Sequence, residues 1–103
     1  MRKYNKYYYI YTFKLNSGEE LIAKVTDIFT EQHTIKISDP VSIAPAQNGM
    51  QMIPSMFTAE PGSSVVLNTN SVAMYAETED SIKMKYIEAT TGIKVPEKKL
   101  ILG

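Results

Sequence analysis

Residues 13–43 read FKLNSGEELIAKVTDIFTEQHTIKISDPVSI, and the period of this stretch decides the fold. Phe13 and Leu15 continue an alternation that starts upstream at Tyr7, Tyr9 and Tyr11, with Thr12 and Lys14 between them. An apolar side chain at every second position marks a strand with one buried and one wetter face. Asn16-Ser17-Gly18 then supplies residues that accept a positive φ, so the chain can reverse. Leu21, Ala23 and Val25 resume the alternation against Glu20, Ile22, Lys24 and Thr26, and a second reversal falls in residues 30–33. Beyond it Ile35, Ile37, Val41 and Ile43 keep to odd positions across an interruption at Asp39-Pro40. Three antiparallel strands presenting one apolar face are expected.

Outward from this core stretch the pattern stays β for some distance. Residues 44–49 (APAQNG) are turn material, with Asn48-Gly49 as the hairpin dipeptide. Met50, Met52 and Ile53 begin a further strand that Pro54 disturbs, which assigns it to an edge or a bulge. A loop at 58–64 carries Pro61-Gly62, and strands at 65–68 and 71–77 flank a polar turn around Asn68-Thr69-Asn70. So many short strands in so short a span indicate a small barrel of five to six strands. In residues 78–92 (TEDSIKMKYIEATTG) the period changes: Thr78 or Asp80 can cap, Ile82, Tyr86 and Ala89 fall at helical spacing, and Gly92 stands at a C-cap position. The expectation is one mainly β domain over 1–103, with a barrel over 7–77, a C-terminal helix over 79–91 and a tail over 93–103. The tail's Leu100-Ile101-Leu102 suits addition to a sheet edge or a partner.

A chain of 103 residues can bury a modest core without cross-links, and with no cysteine it has neither disulfides nor a cysteine metal site. Nothing reads as a signal peptide, and no apolar run approaches the roughly 20 residues that span a bilayer, so a cytoplasmic protein without membrane association is expected. The net charge of zero is unevenly distributed. Residues 1–14 carry Arg2, Lys3, Lys6 and Lys14 and no acid, residues 15–80 carry two lysines against nine acids, and the remainder carries five lysines against Glu88 and Glu97. This balance argues against a strong non-specific nucleic-acid binder but permits a basic patch built from the termini.

Chemistry-bearing constellations are sparse. His33 is the one histidine, and no carboxylates accompany it at a ligand spacing, so no metal or other cofactor is expected and His33 reads as a solvated turn residue. Glu19 and Glu20 are neighbours on a strand and point to opposite faces, so they do not form an acid–base pair. Neither a phosphate-cradling glycine loop nor a nucleophile elbow is present, and catalysis is not expected. Tyr4, Tyr7 and Tyr8, interleaved with Arg2, Lys3 and Lys6, either pack or offer stacking faces beside positive charge. Met50, Met52, Met56, Met74 and Met84 either fill core gaps or form an adaptable surface.

Phe13-Lys14-Leu15-Asn16-Ser17-Gly18, then Leu21, Val25 and Asp27, then Thr34-Ile35-Lys36-Ile37-Ser38-Asp39 resemble the first motif of the Sm-like (LSm) family. Val65-Val66-Leu67-Asn68-Thr69-Asn70-Ser71-Val72 is similar to its second motif, and the two are separated by a long insertion. The resemblance covers residues 13–77 and is closest to divergent members of bacteriophage type, for which the location would be the host cytoplasm. It implies a small, strongly bent antiparallel barrel of SH3 type, assembled into a cyclic homo-oligomer that binds RNA or single-stranded nucleic acid. The implied nucleic-acid contacts are Gln32, His33, Thr34, Asn68 and Asn70, with Arg2 and Lys3 of the N-terminus. The implied subunit interface is Met50, Met52, Ile53, Val65, Val66, Leu67, Val72 and Met74. Two departures count against a uridine pocket of the usual kind: where RNA-binding members have Asn four positions after the Asp, Asp27 is followed by Glu31 or, with a longer loop, by Thr34 near Gln32 and His33, and Asn68-Thr69 stands in place of Arg-Gly. Asparagine cannot supply the stacking plane and permanent charge of arginine. A scaffold ring that contacts a protein partner and no nucleic acid is the alternative.

Overall fold

The turn expected at Asn16-Ser17-Gly18 forms in the computed structural model, which describes residues 9–91. Gly18 adopts φ 95°, and its N–H donates to the Leu15 carbonyl at 2.9 Å. The elements are β1 (Ile10–Leu15), β2 (Glu20–Phe29), β3 (Thr34–Ala46), β4 (Gly49–Pro54), β5 (Ser64–Asn68), β6 (Val72–Glu77) and α1 (Asp80–Thr91). All strand pairs are antiparallel, in the order β4-β3-β2-β1-β6. β3 is long enough to serve two partners on its far edge, β5 along residues 34–38 and β4 along 41–46. The sheet does not close: among the described residues β5 and β6 each pair on one side only.

The expectation of a single apolar face is corrected. Phe13, Leu21, Ala23, Ile35 and Ile37 form one buried cluster, with Tyr11, Leu15, Val25, Val65, Leu67 and Val72 packed against it. Ile10, Ile22, Val41 and Tyr86 form a second on the opposite face, joined by Ile43, Met52, Ile82 and Ile87. Ile22, assigned by its even position to the wet side, is 2% exposed because α1 covers that side. The odd positions of β3 therefore divide between two cores.

A bulge makes this division. Ile22 pairs with Val41 and Lys24 with Ser38, so Ala23 faces two residues, Asp39 and Pro40. Asp39 takes φ 52°, a left-handed conformation that aspartate tolerates better than most residues. One extra residue in a strand reverses the facing of everything after it. Ile35 and Ile37 thus point into the first core, whereas Val41 and Ile43 point into the second.

The buried phenol of Tyr86 closes over the bulge. Its hydroxyl donates to the main-chain carbonyls of Asp39 (2.8 Å) and Ser38 (3.1 Å), at the point where the ladder is disrupted. Burial, reinforced by the negative charge of Asp39, holds the phenol's pKa well above the ordinary tyrosine value of 10.0, against the opposing effect of a backbone hydrogen bond from Lys24. The start of α1 is fastened to β1: Thr78 N–H donates to the Ile10 carbonyl at 3.2 Å, and the Thr78 and Thr12 hydroxyls bond at 2.9 Å. Lys83 returns from the first turn to Glu77 (3.4 Å) and Asp80 (3.9 Å). Ile82, Tyr86 and Ile87 form the docking face; Ala89, expected to dock, is exposed, and Ile87 takes that role.

Two further expectations are refined. Ala44, Pro45 and Ala46 belong to β3, not to a turn, and pair with Gln51, Met50 and Gly49, leaving Gln47-Asn48 as the connection. Beyond Ser42, β3 is paired on one side only, a setting in which Pro45 is tolerated. Pro54 ends the edge strand β4, as its residue type requires. Buried Ser42 donates its hydroxyl to the Glu19 carboxylate and bonds the Ser55 hydroxyl at 2.9 Å, so the β1–β2 turn, β3 and the end of β4 share one polar contact.

Because both faces are covered, Ile22→Ala is expected to cost about 2–5 kcal/mol, the range for emptying a buried aliphatic site, in equilibrium urea unfolding. A one-faced sheet would show almost no loss. Tyr86→Phe is expected to cost about 1–3 kcal/mol through two carbonyls left without a donor. It should also change the alkaline limb. A pKa higher in the folded than in the unfolded state gives stability that is complete below pH ~10 and falls as pH rises through the titration. Stability measured from pH 8 to 11 should therefore decline more steeply in the parent than in Tyr86→Phe.

Candidate functional site

The residues expected to contact nucleic acid lie on two turns far apart in sequence. The first is a 3-10 turn, Thr30–Gln32, ended by His33 at φ 57° and ψ 39°, whose N–H donates to the Thr30 carbonyl at 3.2 Å. The left-handed residue turns the chain from β2 into β3 without a glycine. A second 3-10 turn, Thr69–Ser71, joins β5 to β6. Its N-cap is Asn68, whose side-chain oxygen accepts from the Asn70 N–H at 2.9 Å, the bond for which asparagine is favoured at this position.

Strand pairing brings these turns together. Thr34 lies opposite Asn68 in the β3–β5 register, and Thr69 N–H donates to the His33 carbonyl at 2.8 Å. At its other end the second turn is held by Asn16: the backbone N–H donates to the Ser71 carbonyl at 2.7 Å and the side-chain amide to the Asn70 carbonyl at 2.8 Å. Gln32, His33, Asn68 and Asn70 are exposed and Thr34 is half-buried. The result is a polar cluster without lysine, arginine or carboxylate at positions 32–34 and 68–70, on backbone clamped at both ends. Arg2 and Lys3, like Tyr4, Tyr7 and Tyr8, Gly92 and the Leu100-Ile101-Leu102 triplet, lie outside the described residues.

Next to this cluster runs an apolar groove of about 700 Å³ along β1 and β6, reaching Thr69. Tyr9, Tyr11, Ile28, Met74 and Tyr75 are among the residues that line it. Tyr75 is 70% exposed and stands edge-on to Tyr11, ring centres 6.3 Å apart. Ile28 reaches the groove because a second irregularity, between Val25 and Asp27, sets it opposite Ile35. Alternation predicts strand for Tyr9 and Tyr11, but β1 starts at Ile10 and Tyr9 stands just before it; the meeting of Tyr11 with Tyr75 depends on the β1–β6 pairing, for which no local signal exists.

The expected interface residues fall into two groups. Val65, Leu67 and Val72 pack against the first core and Met52 against the second, so their side chains serve the subunit itself. Ile53 is half-buried on the edge strand β4. Met50, Val66 and Met74 are 64%, 62% and 64% exposed. Val66 and Met74 lie on β5 and β6, which, like β4, pair on one side only among the described residues.

Among the described residues no three His, Asp or Glu side chains converge as metal ligands, and no helix is long and apolar enough to cross a membrane. No protein-family model matches the chain, and no curated protein matches it at a significant level.

The clamp and the exposed face can be separated experimentally. Asn68→Ala is expected to cost about 0.5–2 kcal/mol, through the lost cap, whereas Asn68→Asp, which keeps the accepting oxygen, should stay close to the parent in the same unfolding assay.

Proposed function

We propose that the chain is a non-catalytic subunit of a cyclic homo-oligomer with Sm-like architecture, and that the 32–34 and 68–70 cluster offers each subunit a weak contact for RNA or single-stranded nucleic acid. The observation that carries this reading is the pair of open edges, β5 and β6, which bear exposed Val66 and Met74. An unpaired strand edge is a template for another strand, and pairing β5 of one copy with β6 of the next satisfies both around a closed ring. The β3–β5–turn–β6–β1 connectivity supports the bent-barrel form of the resemblance.

Recognition in this reading is by shape and hydrogen bonding. Gln32, Asn68 and Asn70 carry amides suited to base edges, His33 and Tyr75 have exposed rings suited to stacking, and Arg2 and Lys3 supply charge. A ring repeats each contact, so avidity offsets a poor single site. The cluster contains no arginine or lysine, and this favours the second reading, a ring that has become a scaffold for a protein partner.

Sedimentation or light scattering is expected to give a mass several times that of one chain, reduced when Val66→Glu and Met74→Glu place like charges on both edges. A monomer at every accessible concentration would sink both readings. Fluorescence anisotropy with labelled oligo-U and oligo-A at low salt should saturate and weaken at least fivefold in a His33→Ala, Asn70→Ala double variant. An assembled ring without saturable binding selects the scaffold.

A further inference from the structure

A second groove, of about 400 Å³, lies on the other side of the molecule between the 55–63 segment and α1. Its apolar surface includes Met52, Met56 and Phe57, and its acidic groups are Asp39 and Glu60. Phe57 is 77% and Met56 50% exposed, an unusual cost for adjacent large apolar side chains on one loop. Ala89 and Thr90, from the last turn of α1, form part of the same wall.

We propose that this groove is the seat of the chain's own C-terminal segment, residues 92–103. α1 ends at Thr91, so the segment starts at the wall of the groove. Its sequence, GIKVPEKKLILG, carries the two kinds of group that complement the groove: Ile93, Val95, Leu100, Ile101 and Leu102 for the Met56–Phe57 surface, and Lys94, Lys98 and Lys99 for Asp39 and Glu60. Glu97 is its one acid. Twelve extended residues span roughly 40 Å, ample for a groove at their root. A tether this short also gives an effective concentration on the order of millimolar, so even a weak seat is filled ahead of a peptide or a second copy in solution. The proposal is independent of assembly and of nucleic-acid binding, and it draws three lysines toward carboxylates and away from any phosphate.

The absence of cysteine allows a direct test on the full chain. Phe57→Cys with Ile101→Cys is compared with Met74→Cys with Ile101→Cys; positions 57 and 74 are both exposed, and position 101 lies ten residues past Thr91. In dilute oxidising buffer the 57–101 disulfide is expected to form within one chain at least tenfold faster than the 74–101 disulfide, and adding Glu60→Lys should slow it at least threefold. Equal rates for the two pairs, disulfides mainly between chains, or no effect of Glu60→Lys would each overturn the proposal.

Discussion

The bond from the Tyr86 hydroxyl to the carbonyls of Ser38 and Asp39 joins the two halves of this structure. On one side of it lies the bulge that turns β3 over; on the other lies the helix that makes the turned-over residues worth burying. Neither arrangement stands well alone. A bulge in an uncovered sheet would leave Val41 and Ile43 in water, and a helix without Val41 beneath it would lack part of its apolar floor. The phenol meets both needs with one side chain, an apolar ring in the second core and a polar tip on backbone that the bulge deprives of partners.

Much of the architecture was legible because turns and strands leave local marks. Asn16-Ser17-Gly18 located the first reversal, Pro54 marked an edge strand, and the polar run at 68–70 separated the last two strands, all as observed. The facing of the strands was read less well. Parity counting assumes an unbroken ladder, whereas Asp39-Pro40 adds a residue to it. The signal for a second covered face was available in Ile10 and Ile22, apolar residues at positions counted as wet. A count of three or four residues from Ile82 and Tyr86 reaches Ala89 and misses Ile87, which lies five residues after Ile82 and still packs beside Tyr86.

The juxtaposition of the two candidate turns leaves no local mark in the sequence, for a physical reason. The turns at 30–33 and 69–71 meet because β3 pairs with β5, an association that runs from Thr34–Asn68 to Ser38–Ser64 across the whole β4 arm and the 55–63 loop. Local propensity carries no information about such a pairing. Asn16 was read as a turn residue, and its second role, clamping the 69–71 turn, likewise depends on the β1–β6 register. The same dependence hid the Tyr9–Tyr11–Tyr75 groove, whose members come from both ends of the sheet's sequence.

The bulge at Asp39-Pro40 also governs which changes of chain length this fold can absorb. Loss of one residue there would restore simple alternation and turn the whole β3–β4 arm inside out, presenting Val41 and Ile43 to the first core and stripping the floor from beneath the helix. Loss of two would keep the facing and shift only the register. Length variation among relatives of this chain should therefore come in even steps along β3, whereas the 55–63 loop, where no ladder keeps count, is limited only by the groove it walls.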